Sequence, residues 1–179
     1  RIDAEILSVF PREQLLVPDD VRGDFATLEL AVLTQGWPRL SQARGKIMFA
    51  LDNTGSASEL YIEGHTSLEG RVLFTDSPAG TPEAAFMKRN NPLANPGDIE
   101  SLVQQGYMVR TRADADTMQA RNNDTTQRDA ALASGAHFIS TDYPEPNPEF
   151  SEYHVRLPGG GIARCNPVNA GLCEQRFLE

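Results

Sequence analysis

The chain has 179 residues, of which 40% are hydrophobic and 23% charged, a composition typical of one folded domain and not of a disordered protein. Its 25 acidic and 16 basic residues give a net charge of −9, which argues against a nucleic-acid-binding protein because such proteins need a basic surface. The same charge argues against simple electrostatic adhesion to an anionic bilayer, and the sequence contains no run of about 18 apolar residues that would predict a membrane-spanning helix.

Two helices are predicted before the first strand. Apolar residues recur at helical spacing over 2–10 and 27–35, and Gly36 is placed to end the second helix. The chain begins at Arg1 without a methionine or a charged-then-apolar signal segment, so we expect a mature or trimmed product.

Four short apolar runs have the length and composition of β-strands, and each ends in an acidic residue within a turn. The predicted strands are 46–51, 71–74, 107–112 and 137–140, followed in turn by Asp52, Asp76, Asp114 and Asp142. Helices are predicted between or before them at 56–63, 98–105 and 124–134. The alternation of strands and helices predicts an α/β protein with a parallel sheet.

Particular residues are expected to begin two of these helices. Asp98 is the predicted N-cap of the helix that ends before Gly106. Asp124 and Gln127 have the spacing of a capping box at the start of the helix that ends before Gly135.

The remaining segments are rich in proline and glycine. Residues 77–96 contain four prolines and are predicted to form a long loop, and from Pro144 onward we expect an irregular tail packed on the domain. The only cysteines, Cys165 and Cys173, lie in this tail and are too few for a zinc site. A local disulfide is the favoured interpretation and would indicate an exported protein, while two free thiols are the alternative.

The number of strands bears on the architecture. Four strand–helix units are half of a (β/α)₈ barrel, which usually takes about 250 residues. The sequence therefore predicts either a small open α/β sheet or one part of a larger barrel.

Acidic and basic side chains cluster where the predicted strands end, which is where α/β proteins carry their chemistry. Residues Arg110, Arg112 and Asp114 alternate along one strand and therefore share a face. Two guanidinium groups on a face that a barrel turns inward require anions, either a bound phosphate or neighbouring carboxylates such as Asp114 and Asp116. The alternative is a solvated edge strand. Asp142 shares a face with Ser140, and a carboxylate at this position could orient a catalytic imidazole. It could equally serve as a turn residue.

Four segments, 107–117, 128–136, 139–144 and 163–168, together resemble the C-terminal half of the bacterial and fungal calcium-dependent phosphoinositide-specific phospholipase C family. Gly36-Trp37-Pro38 and Arg44-Gly45-Lys46 fit the same family. The last-strand element Thr141-Asp142-Tyr143-Pro144 is less specific, because glycerophosphodiester phosphodiesterases end their last barrel strand similarly.

The resemblance implies a (β/α)₈ barrel that cleaves phosphatidylinositol at a membrane surface. The inositol 2-hydroxyl attacks phosphorus, giving diacylglycerol and a cyclic inositol phosphate, with two histidines and Ca²⁺ assisting. In the family the two histidines and most metal ligands belong to the first barrel strands, which we expect to precede Arg1. On this interpretation 1–144 is the C-terminal half of the barrel, 145–179 is the tail, and the chain alone is inactive without an N-terminal half-barrel segment.

The resemblance also implies roles for individual residues. Asp142 would orient a catalytic histidine, and Tyr143 would line the pocket. Arg110 and Arg112 would contact phosphate or inositol hydroxyls, with Asp114 bracing them or accepting a hydroxyl. Asp52 is a candidate ligand for Ca²⁺ or inositol. We expect the three histidines present, His65, His137 and His154, to be structural or exposed.

Two other functions remain open. A glycerophosphodiester phosphodiesterase would use water as the nucleophile and yield no cyclic product. A non-catalytic fragment would bind a polyol phosphate without cleaving it. Nucleic acid is not an expected partner, and the expected location is outside the cell.

Overall fold

The computed structural model describes residues 1–169, 171, 173, 174 and 178, and over this part the chain is a mixed α/β protein with parallel strands. It divides into two compact units, Arg1–Met87 and Lys88–Glu179. Among the described residues, no helix has the length and apolar character needed to cross a membrane.

The first unit is mainly helical and carries two paired strands. Its elements in chain order are α1 (Ile2–Val9), a 3₁₀ turn (Arg12–Gln14), α2 (Pro18–Arg22), α3 (Leu28–Thr34), α4 (Leu40–Ala43), β1 (Phe49–Leu51), α5 (Ser56–Ile62) and β2 (Leu73–Thr75). Strands β1 and β2 are parallel, with Phe49 opposite Leu73. Two isolated parallel bridges, Leu15 to Ile47 and Asp76 to Phe86, extend this pairing on either side.

Helix α3 shows why the first unit folds as the sequence predicts. The Leu30 backbone N–H donates to Oγ1 of Thr27 at 3.0 Å, which caps the helix, and the helix buries Leu28, Ala31 and Val32. Strand β2 is buried along its whole length, as expected for a strand with both faces covered.

The second unit contains the strands that matter for the site. Strand β3 (Phe86–Arg89) crosses the boundary between the units and is followed by α6 (Asp98–Gln105), β4 (Met108–Arg112), α7 (Met118–Asn122), α8 (Thr126–Ala133) and β5 (Phe138–Ser140). The sheet order is β3-β4-β5. Strands β4 and β5 are parallel, with Arg110 opposite Phe138 and Arg112 opposite Ser140.

The two faces of β4 differ in their burial. Val109 and Thr111 are fully buried on the face that packs against α6 and α8. Met108, Arg110 and Arg112 lie on the opposite face and are only partly buried. The helices therefore cover one face of this strand and leave the arginine-bearing face open.

The prediction that 77–96 is a loop is wrong, because β3 lies within it. The four consecutive residues 84–87 are each at most 7% exposed, and such a short buried run forms a strand when it finds a partner. The described part of the chain consequently has five strands and not four.

Both predicted acidic helix caps are also wrong. Helix α6 is capped by Gly97, and the Asp98 carboxylate instead accepts from Nε of Arg89 at 2.7 Å. Helix α8 begins at Thr126, whose N–H donates to Oδ1 of Asp124 at 3.0 Å. The expected second half of the capping box is absent, because Oε1 of Gln127 accepts from Nε2 of Gln119 and the Asp124 N–H donates to the Gln119 carbonyl.

The tail contains the disulfide that the sequence predicts. Cys165 and Cys173 form a disulfide, and the Asn166 side-chain amide donates to the Gly135 carbonyl at 2.6 Å. The Arg164 guanidinium donates to the Leu132 carbonyl. The disulfide-bearing segment is therefore anchored to the C-terminal end of α8.

Candidate active site

A polar groove of about 150 Å³ lies at the carboxyl ends of β4 and β5. It is lined by Arg110, Arg112, Asp114, Asp116, Ser140, Thr141 and Asp142. Four of the residues predicted from the sequence to form a site therefore come together: both arginines, Asp114 and Asp142.

The Arg110 guanidinium is held in place by the neighbouring strands. Its Nε donates to Oγ of Ser140 at 2.7 Å, and its Nη1 donates to Oδ1 of Asn90, just after β3, at 2.5 Å. Two anchors from different strands restrict the rotation of this long side chain, so Arg110 presents its charge in a fixed direction.

Besides Asp116, the groove residues whose charged ends are free among the described residues are Arg112 and Asp142. Within the described residues, neither side chain makes a hydrogen bond or ion pair. Arg112 is half-buried and Asp142 is exposed. A partly buried guanidinium without a carboxylate partner is suited to bind an anion, and a free carboxylate is suited to accept from an imidazole or a hydroxyl.

Asp114 is occupied by other protein groups. Its Oδ1 accepts from the Asp142 backbone N–H at 2.9 Å, and its Oδ2 accepts from the Thr141 hydroxyl at 2.5 Å and the Tyr153 hydroxyl at 3.3 Å. Within the described residues it pairs with neither arginine of the groove. The carboxylate turns toward the loop after β5, and its role in bracing the arginines or accepting a substrate hydroxyl stays a prediction.

Tyr143 is buried and lies outside the lining of the groove. Its hydroxyl donates to the Asp116 carbonyl at 3.3 Å, and its ring packs against those of Phe150 and Tyr153. Direct contact between Tyr143 and a ligand stays a prediction. The observed role of the ring is to support the loop after β5.

Asp52 directly follows β1 in the first unit, as predicted. Among the described residues, no group of three or more His, Cys, Asp or Glu side chains is arranged to hold a metal ion. Ca²⁺ takes six to eight oxygen ligands, so the described side chains do not fit a complete calcium site and no chemical step is assigned to the metal.

The three histidines take part in local hydrogen bonds. Nδ1 of His137 accepts from the Val109 N–H at 3.2 Å at the start of β5, and burial of the ring lowers its pKa. Nδ1 of His65 contacts the Glu69 carbonyl, and Nδ1 of His154 contacts the Glu152 carbonyl. Within the described lining of the groove there is no histidine.

Sequence reasoning missed three groups that shape the groove: Asn90, Thr141 and Tyr153. Asn90 was overlooked because β3 was taken as loop, although the apolar run 84–87 before it is the pattern that precedes the other strand-end residues. Tyr153 lies 39 residues along the chain from Asp114, and no spacing pattern links them.

Comparisons with known proteins agree with the resemblance noted from the sequence. The sequence profile of the family "Phosphoinositide phospholipase C, Ca2+-dependent" matches residues 1–167. No curated protein sequence gives a significant match.

One solved structure is similar to this chain: a Ca²⁺-dependent phosphatidylinositol-specific phospholipase C from Streptomyces antibioticus, with a TM-score of 0.55 and 18% sequence identity. The match covers 79% of this chain and 57% of that chain, so this chain spans little more than half of that structure. At this identity the likeness shows the fold alone. The match of the family profile over 1–167 shows that the chain belongs to the Ca²⁺-dependent phosphoinositide phospholipase C family.

Proposed function

We propose that this chain is the C-terminal part of a barrel enzyme that cleaves phosphatidylinositol to diacylglycerol and a cyclic inositol phosphate. The observation that carries the proposal is the groove itself, which places the free guanidinium of Arg112 near the free carboxylate of Asp142 at the carboxyl ends of parallel strands. Family membership supports the reaction class.

Each groove residue has a proposed task. Arg112 binds the phosphate of the substrate through its unused donors, while Arg110, fixed by Ser140 and Asn90, adds positive charge or binds an inositol hydroxyl. Asp142 accepts from the imidazole of a histidine and holds it in the correct tautomer. That histidine would act as the base that removes the proton from the inositol 2-hydroxyl.

The catalytic histidines are proposed to come from an N-terminal companion segment of the barrel. In support, the face of β4 and β5 that carries Arg112 is uncovered, and Phe138 on that face is 49% exposed. A closed barrel would bury this face. The described residues form five strands, so we expect the companion to supply fewer strands than the half-barrel predicted from the sequence.

The family description and the disulfide-bearing tail bear on calcium binding and on the location of the protein. Calcium dependence is part of the family description, and we propose that most Ca²⁺ ligands lie on the companion segment, with Asp52 as this chain's contribution. The disulfide supports an exported protein. The division into a barrel part, 1–144, and a tail, 145–179, stays a prediction.

Replacing Arg112 with Gln is expected to weaken binding of myo-inositol 1-phosphate to the 179-residue chain by about 10- to 100-fold. The reason is the loss of a charge-assisted contact with phosphate, typically about 1.5–3 kcal/mol. Calorimetry with and without Ca²⁺ measures the affinity. The matched control is Arg156→Gln, which removes the same charge from an exposed arginine that is paired with Glu145. Equal affinities for the two variants would contradict the assignment of Arg112.

A non-catalytic polyol-phosphate-binding role is the second candidate, because no described histidine lines the groove. Assay of the complete barrel separates the candidates. A cyclic inositol phosphate product supports the phospholipase, and glycerol phosphate released from a glycerophosphodiester supports the phosphodiesterase. Binding of inositol phosphate without turnover of either substrate supports the non-catalytic role.

A further inference from the structure

The Asp142 side chain does little to fix the loop that carries it. The carboxylate is exposed, and within the described residues it has no partner. The backbone of residues 141–143 therefore sets the position from which this side chain extends, so whatever fixes that backbone decides whether the carboxylate can reach the groove.

One buried carboxylate, Asp114, fixes this backbone. Asp114 is only 2% exposed, and both of its oxygens accept hydrogen bonds from the start of the loop, from the Asp142 N–H and the Thr141 hydroxyl. Burying a carboxylate is costly unless hydrogen-bond donors replace the lost water, so these bonds are strongly favoured at this buried position.

Thr141 extends the same network by one residue. Its hydroxyl donates to Asp114 and also accepts from the Tyr143 backbone N–H at 2.9 Å. The Asp142 N–H therefore bonds directly to the Asp114 carboxylate, and the Tyr143 N–H is linked to the same carboxylate through the Thr141 hydroxyl.

The third member of the network comes from the tail. The Tyr153 hydroxyl is within reach of the Ala113 carbonyl at 3.1 Å and of Asp114, and the ring is 1% exposed. Burial raises the pKa of this hydroxyl, and the neighbouring charge of Asp114 raises it further. Tyr153 therefore stays protonated and donates to the carboxylate at physiological pH.

We infer that Asp114, Thr141 and Tyr153 form a positioning unit that holds the Asp142 carboxylate toward the groove. This inference rests on the proposed function, because it assigns the unit to the site in which Asp142 acts. The residues of the unit act through Asp142 and do not touch the substrate. Displacement of a catalytic group by about 1 Å can cost about 100-fold in rate, so such a unit has a measurable effect.

The test compares two substitutions that remove the same kind of bond. Thr141→Val removes the hydroxyl that donates to Asp114. Thr125→Val removes a hydroxyl that donates to Asp129 at 2.8 Å, outside the groove. The readouts are the hydrogen-exchange rate of the Asp142 amide in the 179-residue chain and the turnover of the complete barrel, this chain joined to its companion segment, with kcat and KM measured separately.

We expect Thr141→Val to lower kcat and to speed exchange of the Asp142 amide, each by about tenfold, with KM little changed, as expected for the loss of one hydrogen bond to a charged group. Thr125→Val is expected to change neither. Thr141→Ser, which keeps the hydroxyl, restores both values, and this rescue separates positioning from general packing. If Thr141→Val does not fold, Tyr153→Phe gives the same comparison.

The outcomes separate the inference from the proposed function. If the complete barrel releases no cyclic inositol phosphate, the proposed function fails, and exchange at Asp142 alone decides the positioning role. If exchange and kcat in Thr141→Val equal those in Thr125→Val, the positioning unit is overturned while the proposed function stands.

Discussion

Replacing Asp142 with Asn in the complete barrel, this chain joined to its companion segment, is expected to lower turnover by about 10³- to 10⁴-fold. The effect is this large because an amide can present its N–H₂ group to the imidazole and favour the wrong tautomer, and loss of an orienting carboxylate costs about 10⁴ in a comparable triad. Release of cyclic inositol phosphate under single-turnover conditions measures the chemical step directly.

The position of Asp142 in the groove predicts how the loss divides between binding and chemistry. Because Arg112 provides the phosphate contact, KM is expected to change little while kcat falls. Asp129→Asn on α8 is the matched control, since it makes the same change in an exposed carboxylate outside the groove lining. Turnover by Asp142→Asn that equals that of the control would remove the orienting role from the mechanism.

The second large effect is expected for Gly135→Ala, which should destabilise the chain by about 2–4 kcal/mol. Gly135 has φ of +80°, where an L-residue is strained by about 1–2 kcal/mol. A Cβ at this position would also overlap Cγ2 of Val168. Val168 is held by the segment that bonds Asn166 to the Gly135 carbonyl, so the overlap is not relieved by a simple rotation.

Gly97→Ala is the control that separates the cost of backbone strain at positive φ from the cost of steric overlap with Val168. Gly97 has φ of +88°, and an added Cβ there meets nothing within 4 Å. The free energy of unfolding of this control should fall only by the cost of backbone strain, about 1 kcal/mol. Thermal unfolding followed by circular dichroism should give a midpoint about 5–10 °C lower for Gly135→Ala than for the unmodified chain. Equal midpoints for the two variants would show that Val168 of the disulfide-bearing tail does not pack closely against residue 135.

The sequence by itself indicated several features because they depend on local patterns. The predicted strand periodicity placed Arg110 and Arg112 on one face, and the structure has them there. The cysteine pair, eight residues apart, forms the expected disulfide. Turn signals after apolar runs located Asp114 and Asp142 at strand ends, where parallel pairing brings them together.

Tertiary structure decided the features that depend on partners distant in the chain. Strand β3 exists because the buried run 84–87 finds neighbouring strands, and local proline content outweighed that pattern in the sequence. Asp114 bonds Thr141 and Tyr153 because those groups approach it in space, across 27 and 39 residues of chain. Which of several nearby polar groups form a hydrogen bond depends on distances and angles in the folded protein, and the spacing of residues along the sequence does not specify these. The sequence therefore determined which charged residues gather at the strand ends, and only the fold decided which stay free for a ligand and which hold the loop.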